Sequence, residues 1–221
     1  MPAVQVYDVI VPFPLVQVEI GWRWAVAQAS LDALSMGEAS VTVHENRLLA
    51  DGRTQYTRKT YDITGRLPKV VASLVPERYH YLDEESWNQF PYCHTALTNK
   101  STSPEKFKIT IDTEHLPFER AGERINGISS PTTIIRIPPP TGCTSKTCIR
   151  KVITIHAADL GPGPRSIVQN FVHSKQKKAF EHTYAMMASK YPEWSELTKE
   201  QLSVIESQTQ ARLATGKLID I

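Results

Sequence analysis

Within ESWNQFPYCHTALTN (85–99), the segment FPYCHTALTN (90–99) reads as a β-strand, and the KSTSPEK that follows (100–106) is a turn-rich loop. FKITIDT (107–113) then alternates, placing Phe107, Ile109 and Ile111 on one face. Strand, short polar loop and strand indicate antiparallel pairing. Cys93 and His94 sit together in the first of these strands. Neighbours on a strand project to opposite faces, so the two cannot act as a nucleophile–base pair. Cys93 is expected to be a buried structural thiol.

The same pattern extends outward in both directions. Upstream, 79–86 is strand-like, a short helix is expected near 68–74, and QYTRKTYDI (55–63) is β-prone. Residues 40–45 alternate, with Val41 and Val43 on one face. VQVYDVIV (4–11) reads as a first strand ended by Pro12 and Pro14, and Val16 to Leu34 as a helix rich in Ala and Trp. Downstream, TTIIRI (132–137) and RKVITIH (150–156) are strands, separated by a loop at about 138–148 that contains PPPTGCTSKT.

The last third changes period. Ile167, Val168, Phe171, Val172, Ala179 and Phe180 fall at helical spacing, which predicts one amphipathic helix over 164–189. Thr198 and Gln201 form a capping box that opens a second helix to about Leu213. A strand, a helix, many antiparallel strands and a closing pair of helices (about 164–214) make an α+β chain, with helices set against one curved sheet.

Composition narrows the function. The 221 residues, 41% apolar and 22% charged, suit one sizeable domain spanning 1–221, with enough apolar material for a full core and an internal cavity. The net charge is +2, from 25 basic against 23 acidic residues, with no basic stripe. Lys175, Lys177 and Lys178 read as the solvated face of a helix, so nucleic acid is not an expected partner. No stretch reaches the roughly 18 apolar residues of a membrane span, and no signal peptide is expected. Cys93, Cys143 and Cys148 are odd in number and scattered, which suits a reducing, cytoplasmic address. Cys143, Cys148 and His156 lack a fourth ligand for zinc, and no metal is expected. Asp112, Glu114 and His115 are read as a solvated turn beyond a strand end. No G-x-S-x-G elbow, H-E-x-x-H pair or phosphate-cradling glycine loop occurs, and no catalytic residue or cofactor is expected.

Several stretches resemble the phosphatidylinositol transfer proteins. ESWNQFPYCHTALTN (85–99) is similar to the family's WNxYPYCxTxxTN segment, and GRTQYTRKTYDI (52–63) to its QYTxKxY strand. GWRWAVAQAS (21–30) is similar to its first helix, and IVQNFVHSKQKKAF (167–180) and LTKEQLSVIESQTQARL (197–213) match its last two helices in spacing. The resemblance covers roughly 4–116 and 149–214. It implies a START-like helix-grip in which a curved antiparallel sheet encloses one phospholipid and the C-terminal helices close over it. The implied activity is binding phosphatidylinositol and exchanging it between membranes. That points to a monomer that visits membrane surfaces transiently, with the bound lipid as ligand. A lipid sensor or presenting module is the alternative, and a hydrolase or cyclase on the same fold a more distant one.

The resemblance also implies a site. The family's inositol-headgroup residues fall on Thr57, Lys59, Asn88 and Glu206, and all four residue types are kept. Thr57 and Lys59 stand at i and i+2, hence on one face of a strand. Lys59 would supply a point charge for the phosphate, and Thr57, Asn88 and Glu206 donors and acceptors for ring hydroxyls. Choline has no hydroxyls to offer such a set. Cys93, Thr95, Phe171 and Thr183 are implied as cavity or lid residues. The chain also departs from the family. PPPTGCTSKT replaces a long regulatory insertion together with its modified serine, and HAADLGPGPR (156–165) replaces a Trp-Trp membrane wedge. Thr183 stands where the family has a Phe associated with choline lipids, so weak phosphatidylcholine transfer is expected. With only Leu160 as a large apolar group in 156–165, docking would have to use other surfaces such as Trp22 or Trp24. Which face of 55–63 points inward is left open, since Tyr56, Arg58, Thr60 and Asp62 are polar too.

Overall fold

A computed structural model describes residues 2–35, 40–64, 67–158 and 160–215. The elements are, in chain order, β1 (Ala3–Val11), α1 (Leu15–Ser35), β2 (Ser40–Leu48), β3 (Gln55–Asp62), α2 (Lys69–Ala72), β4 (Tyr81–Gln89), β5 (Tyr92–Thr98) and β6 (Phe107–Pro117). They continue with β7 (Thr132–Arg136), β8 (Thr147–Ala157), α3 (Pro162–Ser189), α4 (Tyr191–Trp194) and α5 (Lys199–Thr215). The strands form one sheet in the order β2-β3-β4-β5-β6-β8-β1-β7. The pairs are antiparallel except at one edge, where β7 runs parallel to β1.

β6 runs to Pro117, four residues past the alternating segment seen in the sequence. The reason is β8, which pairs with it along the whole length, from Phe107 opposite Ala157 to Pro117 opposite Thr147. Asp112, Glu114 and His115 are therefore strand residues rather than a solvated turn, and His115 is buried. β4 likewise continues past 86 to carry Trp87 and Asn88, and its hairpin to β5 turns at Phe90–Pro91, a cis peptide.

α1 and α3 cover the β6–β8–β1 half of the sheet. Tyr7, Val9, Val11, Phe13, Ile149, Ile153 and Ile155 meet Trp24, Ala25, Phe180, Tyr184 and Met187 in one apolar core. α3 starts at Pro162, where a proline costs no helical hydrogen bond. α4 inserts Trp194 beneath α1, and its indole N–H donates to the Met187 carbonyl at 2.7 Å. Gly21 makes that crossing possible, because a Cβ there would stand 2.7 Å from both the Trp194 ring and Met187. The capping box forms as read: Thr198 N–H donates to Gln201 Oε1, and Gln201 N–H to Thr198 Oγ1.

α5 is held differently. It rests on α1 and on β2, so it bridges the edge of the sheet that α3 leaves uncovered. Between α5, α1, α3 and the sheet lies a cavity.

Candidate functional site

Strand register fixes which side chains share the inner face. Gln55, Asn88, Cys93, Thr113 and Lys151 form one row across β3, β4, β5, β6 and β8. The next row is Thr57, Ser86, Thr95, Ile111 and Ile153, and the next is Lys59, Glu84, Leu97, Ile109 and Ile155. Each row is polar at β3–β4, and the latter two become apolar towards β8. The first row does not, because it ends on a lysine.

The opposite face explains the polar neighbours of 55–63. Arg58 bonds Glu45, Tyr56 donates to Glu85 and Thr60 to Asp83, all on the outer side. His94 also lies there, with Nδ1 2.6 Å from Asp112 Oδ1, away from Cys93. Cys148 sits in a small second core with Ile10 and Leu116, where burial pushes its thiol up to about 12.

The cavity has a volume of about 490 Å³, and Thr57, Lys59, Asn88, Cys93, Thr95, Thr183 and Glu206 all line it. Phe171 is not among the lining residues; it sits half-buried on α3, with Lys175 Nζ 5.7 Å from its ring centre. Lys59 Nζ lies 3.9 Å from Glu84 Oε1, and Tyr61 donates to the other oxygen of that carboxylate. Thr57 donates to Asn46 at 3.3 Å, and Asn46 in turn to Gln210 on α5. Glu206, also on α5, is gripped by Arg23 of α1 in a two-pronged pair, Nε to Oε1 at 2.8 Å and Nη2 to Oε2 at 2.5 Å. On β5 and β4, Ser86 Oγ lies 3.1 Å from Thr95 Oγ1 and 3.5 Å from Cys93 Sγ.

The residue most exposed to chemical consequence went unread in the sequence. Lys151 is 2% exposed and faces the cavity. Its ammonium donates to Thr113 Oγ1 at 3.1 Å and otherwise stands among three rings, 4.6 Å from the centre of Trp22, 4.9 Å from Phe180 and 5.8 Å from Tyr184. Burial pushes it down to about 8. The Tyr184 hydroxyl nearby is buried without a hydrogen-bond partner. The signal was present: in RKVITIH, Lys151 shares its strand face with Ile153 and Ile155, an isolated cation on an apolar stripe. Trp22 and Trp24, considered as surface anchors, turn inward instead. Trp24 is in the core and Trp22 stacks on Tyr184 at 5.2 Å, so neither ring is free to enter a membrane.

This arrangement can hold a molecule with a polar, hydroxyl-bearing end and one negative charge. Asn46, Gln55, Thr57, Asn88, Thr209 and Gln210 supply amides and hydroxyls, while Val26, Val41, Val43, Ile111 and Leu213 supply apolar wall. A family model described as "Phosphatidylinositol transfer protein" matches residues 3–136. The chain is 24% identical to the human phosphatidylinositol transfer protein beta isoform over 257 aligned residues, which cover 97% of this chain and 94% of that one. It is 32% identical over 124 residues to phosphatidylinositol transfer protein 1 of Dictyostelium discoideum, covering 56% of this chain and 47% of that one. The solved structure of norcoclaurine synthase from Thalictrum flavum overlays with a TM-score of 0.45 at 11% identity, over 90% of each chain.

Proposed function

The chain belongs to the phosphatidylinositol transfer protein family, and from that premise we propose that it binds one phosphatidylinositol in the cavity and exchanges it between membranes. The observation that carries this reading is Lys151, a buried cation facing a hydroxyl-rich cavity, with no carboxylate among the causes of its lowered pKa. A charge is kept in such surroundings at a cost unless a partner of opposite sign arrives. A phosphodiester is such a partner, and Thr113 and Thr95 beside it offer further donors.

The phosphate is therefore assigned to Lys151 rather than to Lys59. Lys59 already has Glu84, and with Thr57, Asn88 and Glu206 on the same cavity wall that pair would meet the ring hydroxyls. Arg23 uses two of the lone pairs on the Glu206 carboxylate, which leaves others to accept from a ligand. Arg23 thus orients Glu206 without consuming it.

Carriage also has a physical demand. A phospholipid has on the order of 30 methylenes, each worth about 0.8 kcal/mol on leaving water, so its tails must travel covered. The cavity, of about 490 Å³ and walled in part by Val26, Val41, Val43, Ile111 and Leu213, is where they would be covered. Helix α5 is joined to the body through α1 and β2 and through side-chain pairs at Arg23 and Glu19, and it walls one side of the cavity. Rate would then follow the opening of that helix at a membrane rather than a chemical step. Among the described residues no helix is long and apolar enough to cross a membrane, in keeping with brief visits to the surface.

Exchange of phosphatidylinositol between two vesicle populations, with protein far below lipid, tests the proposal. Multiple lipids moved per protein molecule is the expected result. Stoichiometric binding without exchange would instead identify a presenting module.

A further inference from the structure

Among the described residues two lysines line the cavity, and they are held differently. Lys59, on β3, lies beside the Glu84 carboxylate. Lys151, on β8, is 2% exposed and donates to the neutral Thr113 hydroxyl at 3.1 Å. The rings of Trp22, Phe180 and Tyr184 close around its nitrogen. The cavity it faces offers Phe180, Ile111, Val26, Val41 and Val43 as apolar wall. A primary amine thus stands at the side of a space suited to a hydrocarbon tail.

We propose that Lys151 is a covalent capture site for long-chain aliphatic aldehydes, which lie with the tail on the apolar wall and form an imine with the side-chain nitrogen. The proposal needs the cavity of the carrier reading but not its exchange step. Burial favours the neutral form of an amine, and the neutral form is the nucleophile. Lys151 is pushed down to about 8 in this way, so a usable share is neutral amine at neutral pH. Lysines in open water hold their protons far more firmly and react correspondingly less. The tail supplies the affinity, since each methylene that leaves water for the wall adds to it.

The chemistry balances without a redox partner. The neutral amine attacks the carbonyl carbon, and the C–N bond forms as the carbonyl π pair moves to oxygen. Nitrogen then loses a proton and oxygen gains one, a transfer that Thr113 Oγ1 is close enough to relay. The protonated hydroxyl leaves as water while the nitrogen pair closes the C=N bond, and the iminium returns the borrowed proton. One amine and one aldehyde become one imine and one water. Three rings around the nitrogen limit the water that would reverse the reaction.

The test incubates the full chain at neutral pH with dodecanal or, at equal concentration, propanal. Sodium cyanoborohydride reduces any imine to a stable secondary amine, and peptide mass spectrometry maps the alkylated lysines. Dodecanal is expected to label Lys151 at least tenfold more than the exposed Lys175, Lys177 and Lys178, and at least tenfold more than propanal labels Lys151. Lys151→Arg keeps a cation but has no nucleophilic amine, and should lose the adduct while the exposed lysines are labelled as before. If that variant does not fold, the wild-type map decides alone. Labelling of Lys151 no greater than that of the exposed lysines, or equal labelling by the two aldehydes, would overturn the capture site. Either result leaves the carrier reading standing, because exchange of phosphatidylinositol between vesicles is measured separately.

Discussion

Lys59 and Glu84 are each less than one-fifth exposed, so removing either leaves its partner partly buried and unmatched. A buried polar group that loses its partner costs about 1–3 kcal/mol, more when charged. Lys59→Ala is therefore expected to lower phosphatidylinositol loading at least tenfold, about 1.4 kcal/mol, read as lipid retained after gel filtration. Glu206→Gln keeps the shape but loses the charge that Arg23 grips, and is expected to impair loading in the same assay. His115 gives a prediction that lipid does not enter. Its Nδ1 lies 2.9 Å from the Pro91 carbonyl, and burial pushes it down to about 4 from an ordinary 6.5. Below pH 6.5 the unfolded chain takes up a proton that the folded chain refuses, so stability falls as pH drops from 6.5 to 4. The loss is up to about 3 kcal/mol. His115→Asn, which can still donate to Pro91, should flatten that decline in urea unfolding measured at pH 7 and pH 4.5; an unchanged decline would contradict the assignment. At this scale the resemblance picked out Thr57, Lys59, Asn88 and Glu206, which all line the cavity, but Lys151 went unread and His115 was read as part of a solvated turn. Both lie on a sheet face whose burial depends on a partner strand and a covering helix far away in sequence.

Helix α5 depends on α1 for most of its contacts. Arg23–Glu206 and Lys199–Glu19 are the charged ties, and ion pairs in partial contact with water contribute about 0.2–1 kcal/mol each. Ties of that size hold a helix closed yet let it open. Lys199→Met, which cuts the tie lying outside the cavity, should speed vesicle-to-vesicle exchange of phosphatidylinositol while lowering Tm by only a few degrees. A large fall in Tm with unchanged exchange would mean that the pair serves the fold and not the gate. Removing residues 197–221 should raise membrane affinity and abolish lipid retention; a truncated protein that still held lipid through gel filtration would rule out a lid. The elements were largely legible, because period and caps are local properties: Pro12 and Pro14, the Thr198–Gln201 box and the helical spacing of 167–180 all mark real boundaries. The ends of β4 and β6 were not legible, since pairing with β5 and β8 carries them past the point where their own alternation fades.

Across the whole molecule, one half of the sheet is filled by core and the other half is left to a ligand. Trp194, Tyr184 and Phe13 pack solidly beneath α1 and α3, while the β2–β5 side faces the cavity. Lys151 stands where the two halves meet, and because it is buried its charge weakens the unliganded fold. With its folded value near 8 against an ordinary 10.5, the stability lost as pH falls through that window amounts to no more than about 3 kcal/mol at neutral pH. Lys151→Met should accordingly raise the stability of lipid-free protein, and an anionic lipid should do the same for the wild type by pairing with the ammonium. Fold class was readable from the order of elements; the cavity was not, because its volume depends on how far α5 stands off the sheet. The measurement that bears most directly on the account is a native mass spectrum of the chain after incubation with mixed vesicles and re-isolation. The account predicts a mass increase of one phosphatidylinositol per chain in wild type, at least tenfold reduced in Lys59→Ala. A spectrum showing no phospholipid, or an equal load in both proteins, would contradict it.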